Sequence, residues 1–220
     1  YPKPVAEPNA TQAGMVAALD AYIGEVMTAL DKKGMAENTL VFFTSDNGPH
    51  EEGGADPIAI RASAPYRGGK RDLYDGGIHV PMIAHWPAKI KEARVDQTPW
   101  LFADVLPTLA DLADVNLDLV PRVKTNGVSI TGLLQDNPVT LEERTMYWEF
   151  SMLKGDPNSG IPGQKFQAAR EGDWKAVRYG LEKDVELYNI TKDPGEKKNL
   201  AKKHKKMTKK FFKLFEEYKG

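Results

Sequence analysis

The stretch Leu40-Val-Phe-Phe-Thr-Ser-Asp-Asn-Gly-Pro-His50 decides how this chain is read. Its apolar and β-branched run stops abruptly at Ser45, the pattern of a buried strand that delivers polar residues to its C-terminal end. In open α/β sheets ligands bind at that end, because the loops leaving the strands converge there. Asp46 and Asn47 present side-chain oxygens next to each other, a donor type suited to a hard cation such as Ca²⁺ or Mg²⁺. Gly48-Pro49 then turns the chain away. The same residues also fit a plain Asp-Asn-Gly turn, so the flanking sequence has to decide between the two.

Upstream, Met15, Val16, Leu19, Tyr22, Ile23, Val26, Met27 and Leu30 recur at three- and four-residue spacing. This predicts a helix with one apolar stripe facing a core, stopped by Gly34 in the C′ position. Tyr1 to Gln12, carrying Pro2, Pro4 and Pro8, reads as an extended lead-in. A helix followed by a strand is the unit from which doubly wound sheets are built. Downstream, Glu51 to Ala64 has no period and reads as a long loop above the strand end.

Tyr66-Arg-Gly-Gly-Lys-Arg-Asp-Leu-Tyr-Asp-Gly-Gly-Ile-His-Val-Pro81 follows. Its paired glycines permit close backbone approach or positive φ, and Arg67 and Lys70 add cationic donors. The segment fits an oxyanion-binding loop and equally a glycine-rich turn with solvated charges. Val80 to Trp86 predicts a second buried strand in which His85 either packs among its neighbours, the preferred reading, or serves as a ligand, and Phe102 to Val115 predicts a helix.

Around Glu142 the texture changes. Thr145 to Phe150, Phe166 to Ala169, Trp174 to Tyr179 and Glu186 to Tyr188 read as short strands of an antiparallel meander, with a loop at 154–163. From Leu200 a final helix is expected to turn Phe211, Phe212, Leu214, Phe215 and Tyr218 inward. Lys202, Lys203, Lys205, Lys206, Lys209 and Lys210 then form a solvated face. The expected partition is an α/β part over 1–142 and a small antiparallel β part with a packing helix over 143–220.

Lysine plus arginine (30) balances aspartate plus glutamate (31), so no global field steers the chain toward nucleic acid. With no cysteine it holds no disulfide, thiolate metal site or cysteine nucleophile. No uninterrupted apolar run of membrane-spanning length is read in it, and no membrane span is expected. The chain opens at Tyr1 without a methionine, which suggests a processed or trimmed start.

Taken together, Asn38 to His50, Glu52-Gly-Gly-Ala-Asp56, Arg67 to Pro81, Trp86-Pro87, Asp104-Val-Leu-Pro-Thr-Leu109, Gly172-Asp-Trp-Lys-Ala-Val-Arg178 and Glu186 to Glu196 stand in a familiar order. The chain resembles the C-terminal half of the sulfatases, formylglycine-dependent sulfuric ester hydrolases of the alkaline phosphatase superfamily. The resemblance implies an α/β, alkaline-phosphatase-like sulfatase fold: the C-terminal part of the large sheet domain plus a small antiparallel subdomain with a C-terminal helix. It makes Asp46 and Asn47 two ligands of an active-site Ca²⁺, preferred over Mg²⁺. Lys70 becomes the catalytic lysine that binds a sulfate oxygen, and His50 becomes a further substrate contact; Arg67, a cationic donor in the same loop as Lys70, is expected to bind substrate with it.

The implied activity is cleavage of a sulfate ester on a carbohydrate or aryl group, with a sulfated small molecule or glycan as substrate. In the family a hydrated formylglycine attacks sulfur with inversion. That residue and the remaining ligands are expected in an N-terminal half that this chain lacks, and periplasmic or secreted localisation is expected with them. Ser63-Ala-Pro-Tyr-Arg67 fits the formylglycine pattern only superficially. It follows the Asp-Asn strand instead of preceding it, and Tyr66 replaces the inner serine. Tyr147-Trp-Glu-Phe150 is followed by Ser151-Met152 where many bacterial members place a histidine. The competing readings are a phosphonate or phosphate ester hydrolase of the same superfamily and a non-catalytic fragment. A further expectation is that the chain leaves one side of its sheet uncovered.

Overall fold

The three- and four-residue apolar spacing upstream of Leu40 forms the helix it predicts, α1 (Asn9–Lys32). The computed structural model describes residues 9–134, 141–151 and 165–218. The loop expected at 154–163 and the first eight residues of the lead-in lie outside the described residues. Asn9 to Gln12, expected to be extended, already belong to α1. The helix ends as predicted: Gly34 takes φ +67°, Met35 N–H donates to Leu30 O at 2.9 Å and Gly34 N–H to Asp31 O at 2.9 Å, the paired bonds of a Schellman stop.

The stripe itself departs from expectation, since no residue of α1 is buried and Met15 and Tyr22 are each 63% exposed. A helix acquires its stripe from the surface it will cover, and no described residue covers this one fully. By length and mean hydropathy α1 is also long and apolar enough to cross a bilayer, which the sequence reading did not anticipate. Asp20 and Glu25 sit mid-helix, where each charge would cost about 2.5–3.5 kcal/mol in hydrocarbon.

The chain folds as two compact units interleaved in sequence. One comprises Tyr1–Asp20, Thr44–Pro81 and Glu143–Gly220, and the other Ala21–Phe43 and Met82–Glu142.

In the second unit β1 (Val41–Thr44) and β2 (Met82–His85) pair as a two-stranded sheet. Both strands were expected to be buried. Instead β1 is half-buried and β2 alternates with exposed positions, because two strands alone have neighbours on few sides. The helix α3 (Val105–Leu112) starts on a polar anchor. The fully buried Asp104 carboxylate accepts from Leu101 N–H at 2.7 Å and Val128 N–H at 2.9 Å. Thr108 Oγ1 accepts from Ile130 N–H at 3.0 Å, so the Asp104 to Leu109 motif ties the 126–130 segment to the helix.

The first unit holds a four-stranded antiparallel sheet in the order β3 (Met146–Ser151), β4 (Lys165–Glu171), β5 (Trp174–Tyr179), β6 (Glu186–Asn189). This is the expected meander, with Gly172 at φ +52° in the β4–β5 turn. Register pairs Ala168 with Val177 and Ala169 with Ala176, and all four are fully buried. Side chains alternate across a strand, so the sheet is covered on both faces.

One face packs against α4 (Lys205–Glu217) through Ala176, Leu187, Phe211 and Phe215, each phenyl contributing about 1.5–3 kcal/mol by burial. Beneath α4 a buried Arg178 donates to Gln167 Oε1 at 2.5 and 3.0 Å and to Glu216 at 2.7 Å. Gln167 Nε2 donates to Phe215 O at 2.9 Å. The expected inward set is only partly correct: Phe212 is 45% exposed and Tyr218 lies at the margin, stacked on Tyr147 at 4.4 Å. The lysines named above are exposed, as expected.

The other face carries Phe166, Ala168, Val177, Tyr179 and Tyr188 and packs on Leu73 and Tyr74 of the glycine-paired segment. There α2 (Asp75–Ile78) opens on a buried charge cluster. Lys175 Nζ, with no solvent exposure, lies 2.5 Å from Asp75 Oδ1 and 3.0 Å from Glu196 Oε1, and Asp75 N–H donates to Glu196 Oε2 at 2.6 Å. Burial works to raise the Asp75 carboxyl, but His79 and Lys175 outweigh it and hold the group at about 2. Burial raises Glu196, and Lys175 offsets this only in part.

The two carboxyls therefore have opposite signs in pH linkage. Asp75, depressed from an unfolded value near 3.9, contributes stability above roughly pH 4 that is lost as pH falls toward 2. Glu196, raised, contributes below its unfolded value and loses that contribution as pH rises. Lys175→Met should leave both carboxylates without their cation and cost about 3–5 kcal/mol at pH 7. In chemical denaturation the variant should gain more stability than the wild type between pH 7 and 4.5, because Lys175 no longer offsets part of the upward shift of Glu196.

Candidate active site

The C-terminal end of β1 and the glycine-paired segment are brought together by backbone contact. Gly48 N–H donates to Gly77 O at 2.9 Å and Lys70 N–H donates to Pro49 O at 2.8 Å. These approaches need glycine. A Cβ at Gly48 would sit 1.8 Å from Gly76 O, and one at Gly69 would sit 2.4 Å from Pro49 O. Gly68, at φ +84°, adds the left-handed backbone that other residues rarely adopt. Gly69, Gly76 and Gly77 thus serve close approach of backbone to backbone, and Gly68 serves the positive φ that the sequence also allowed.

Each predicted site residue has a definite place. Asp46 is exposed on the turn after β1. Asn47 Nδ2 donates to Gly48 O at 2.9 Å, which leaves its Oδ1 as the acceptor end of the amide. Oxygen donors of this kind fit a hard cation, although two fall short of the six to eight that Ca²⁺ takes. No group of three or more His, Cys, Asp or Glu side chains suited to a metal occurs among the described residues.

Lys70 lines a cleft of about 820 Å³ together with His50, Glu52, Arg61, Ser63 and Arg71. Its ammonium lies 2.9 Å from Glu52 Oε2, and Arg71 Nη2 lies 2.8 Å from Glu52 Oε1. Lys70 first, then Arg71, hold the Glu52 carboxyl below the usual range. His50 Nδ1 accepts from Glu52 N–H at 3.0 Å, leaving Nε2 as the proton-bearing end of a neutral ring.

Arg67 is placed differently from the other predicted contacts. Its guanidinium stands 3.7 Å over the Tyr74 ring and donates to Tyr188 Oη at 3.3 Å and Glu196 O at 3.2 Å. Those partners clamp the loop to the sheet, and the Arg67 side chain is not among the groups lining the cleft. Ser63 donates to Tyr66 O at 3.4 Å.

The sequence reading assigned no role to Glu52, Arg71, Asp75, Lys175 or Glu196. Glu52 and Arg71 stand inside quoted motifs, and adjacency to Lys70 was the available signal. Lys175 and Glu196 join the loop only through tertiary contact. Tyr74 donates to Glu186 Oε2 at 2.6 Å, and Leu73 N–H to Tyr179 Oη at 2.9 Å. Burial raises both phenols well above their ordinary range, so they stay protonated donors.

Comparison with known proteins gives this geometry a context. The family model described as Sulfatase matches residues 5–115, and that described as N-sulphoglucosamine sulphohydrolase, C-terminal, matches residues 68–219. The chain belongs to the sulfatase family. Among sulfatases it is 28% identical over 221 residues to an N-acetylgalactosamine-6-O-sulfatase of Bacteroides thetaiotaomicron, covering 95% of this chain and 42% of that protein. It is 30% identical over 207 residues to human arylsulfatase A, covering 83% of this chain and 37% of the relative.

The crystal structure of Ps i-CgsB in complex with k-i-k-neocarrahexaose superposes with a TM-score of 0.79 at 27% identity, covering 97% of this chain and 44% of that one. The fold is the alkaline-phosphatase-like fold of the sulfatases. This sulfatase chain spans less than half the length of the relatives it matches. Gly48→Ala should move the Asp46-Asn47 turn away from Gly76 and Gly77 and destabilise the protein by about 1–3 kcal/mol. The check is thermal unfolding, with Gly14→Ala, whose Cβ meets no atom within 4 Å and whose φ is not positive, as the control without a clash.

Proposed function

We propose that the whole protein hydrolyses sulfate esters and that this chain supplies part of the metal and sulfate site. What supports the reading is the backbone bond from Lys70 N–H to Pro49 O, which ties the loop that bears Lys70 to the segment following Asp46-Asn47, in a chain of the sulfatase family. A cation and oxygen donors on adjoining segments suit a tetrahedral anion whose leaving oxygen gains charge as the S–O bond breaks.

In this proposal Asp46 and Asn47 would hold a Ca²⁺ as two of its oxygen ligands, the others coming from the rest of the protein. When bound, the ion supplies charge neutralisation at the sulfuryl oxygens. Lys70 binds a sulfate oxygen through its ammonium, and to do so it exchanges Glu52 for the substrate. His50 offers Nε2–H at the cleft. Water adds across the S–O bond in net terms, giving the alcohol and sulfate.

A sulfated carbohydrate is the substrate class best supported. The Bacteroides relative is an N-acetylgalactosamine-6-O-sulfatase and the structural neighbour holds a neocarrahexaose. The nucleophile is proposed to lie elsewhere in the protein, because Ser63 donates to a backbone carbonyl and is paired with no base among the described residues.

Lys70→Ala in the full-length protein should lower kcat/KM on an aryl sulfate by about 10²-fold or more, read by release of the phenol. Faster turnover of the matching phosphate ester by the wild type would replace this reading with a phosphoesterase. Asp46→Ala should weaken Ca²⁺ binding in calorimetric titration, and the isolated 220-residue chain should not turn over the ester.

A further inference from the structure

The site as proposed uses Lys70 but leaves its neighbour unexplained. Arg71 holds φ +76°, a left-handed backbone that residues with a Cβ rarely adopt. Such conformations persist where the surroundings impose them and concentrate at ligand-binding segments. Here the consequence is that two consecutive residues both put their cations into one cleft. A strand or helix would have sent them to different sides. Arg61, at φ +53°, lines the same cleft.

Lys70 and Arg71 reach the two different oxygens of a single carboxylate, Glu52, at 2.9 and 2.8 Å. Their charged ends therefore stand apart by no more than a bridged carboxylate spans. Glu52 satisfies both in the absence of ligand, and it is itself 42% exposed and open to displacement.

We infer that Arg71 forms a second anion-binding subsite, so that the cleft takes a saccharide carrying two oxyanions: the scissile sulfate at Lys70 and a neighbouring sulfate or carboxylate at Arg71. Glu52 is the internal counter-ion that both groups replace. Arginine suits the task because its planar fork meets an oxyanion through two parallel N–H donors. A substrate with one anion frees only half of the bridge, leaving Glu52 on Arg71 as a like-charged neighbour. A substrate with two replaces both bonds.

This inference rests on the sulfatase reading of the site, and the test separates them. The full-length protein is assayed on a monosulfated N-acetylhexosamine, its disulfated counterpart, and a monosulfated disaccharide bearing a uronate. The wild type should prefer at least one of the doubly charged substrates, and which one is preferred identifies the second oxyanion. Arg71→Ala should lower kcat/KM for that substrate about tenfold more than for the monosulfated one, mainly through KM.

Glu52→Gln should act in the opposite direction, lowering KM for the doubly charged substrate by removing the competitor. A pair that merely shapes the loop would impair every substrate alike in both variants. That result, or a wild type indifferent to the second charge, overturns the subsite while leaving the sulfatase reading intact. A wild type that cleaves no sulfate ester overturns both.

Discussion

A lysine without solvent contact, held between two carboxylates, is the constraint on which the first unit depends. Lys175 comes from the middle of the meander, Asp75 from the glycine-paired segment and Glu196 from the turn after β6. Isolated, each charge would be prohibitive to bury. Together they make the burial tolerable when the three segments are docked: without Lys175 both carboxylates lose their cation, and without either carboxylate the ammonium loses one of its two partners. The cluster therefore works as a test of assembly: the sheet, the segment after β6 and the site loop are held in one arrangement or lose it together.

Phenols extend the clamp. Tyr74 and Tyr188 both donate to Glu186, Arg67 lies over Tyr74, and Tyr179 both accepts from Leu73 N–H and donates to Asp72. The result is a loop whose backbone is fixed from beneath by the C-terminal sheet. Its upper side meets the end of β1 through Gly48 and Pro49. A binding group held to fractions of an ångström needs such support from behind, and here the support comes from strands more than a hundred residues away in sequence. The small C-terminal sheet is thus part of how the cleft is shaped, although the residues that line the cleft come from positions 49–72.

Much of this was legible in the residues. The meander followed from short β-rich runs separated by turn signals, and Gly34 took the positive φ its C′ position predicted. The ordered motifs led to the sulfatase family, which the family models match. Burial was read less well. Met15 and Tyr22 carry the periodicity of a core helix and yet are exposed, because periodicity records the shape of a partner surface and not where that surface lies. Arg67 was grouped with Lys70 from adjacency alone. Three residues apart on a loop with left-handed turns, the two side chains took different environments.

By itself the sequence determined the local elements and the family, since these depend on residue type, spacing and order. It could not determine that residues 44–81 form one compact unit with 143–220. Nor could it place Lys175 and Glu196 beneath the site or Glu52 between Lys70 and Arg71. Those outcomes depend on pairing buried charges and closing backbone hydrogen bonds between distant segments, and only the tertiary structure decides which partners are within reach.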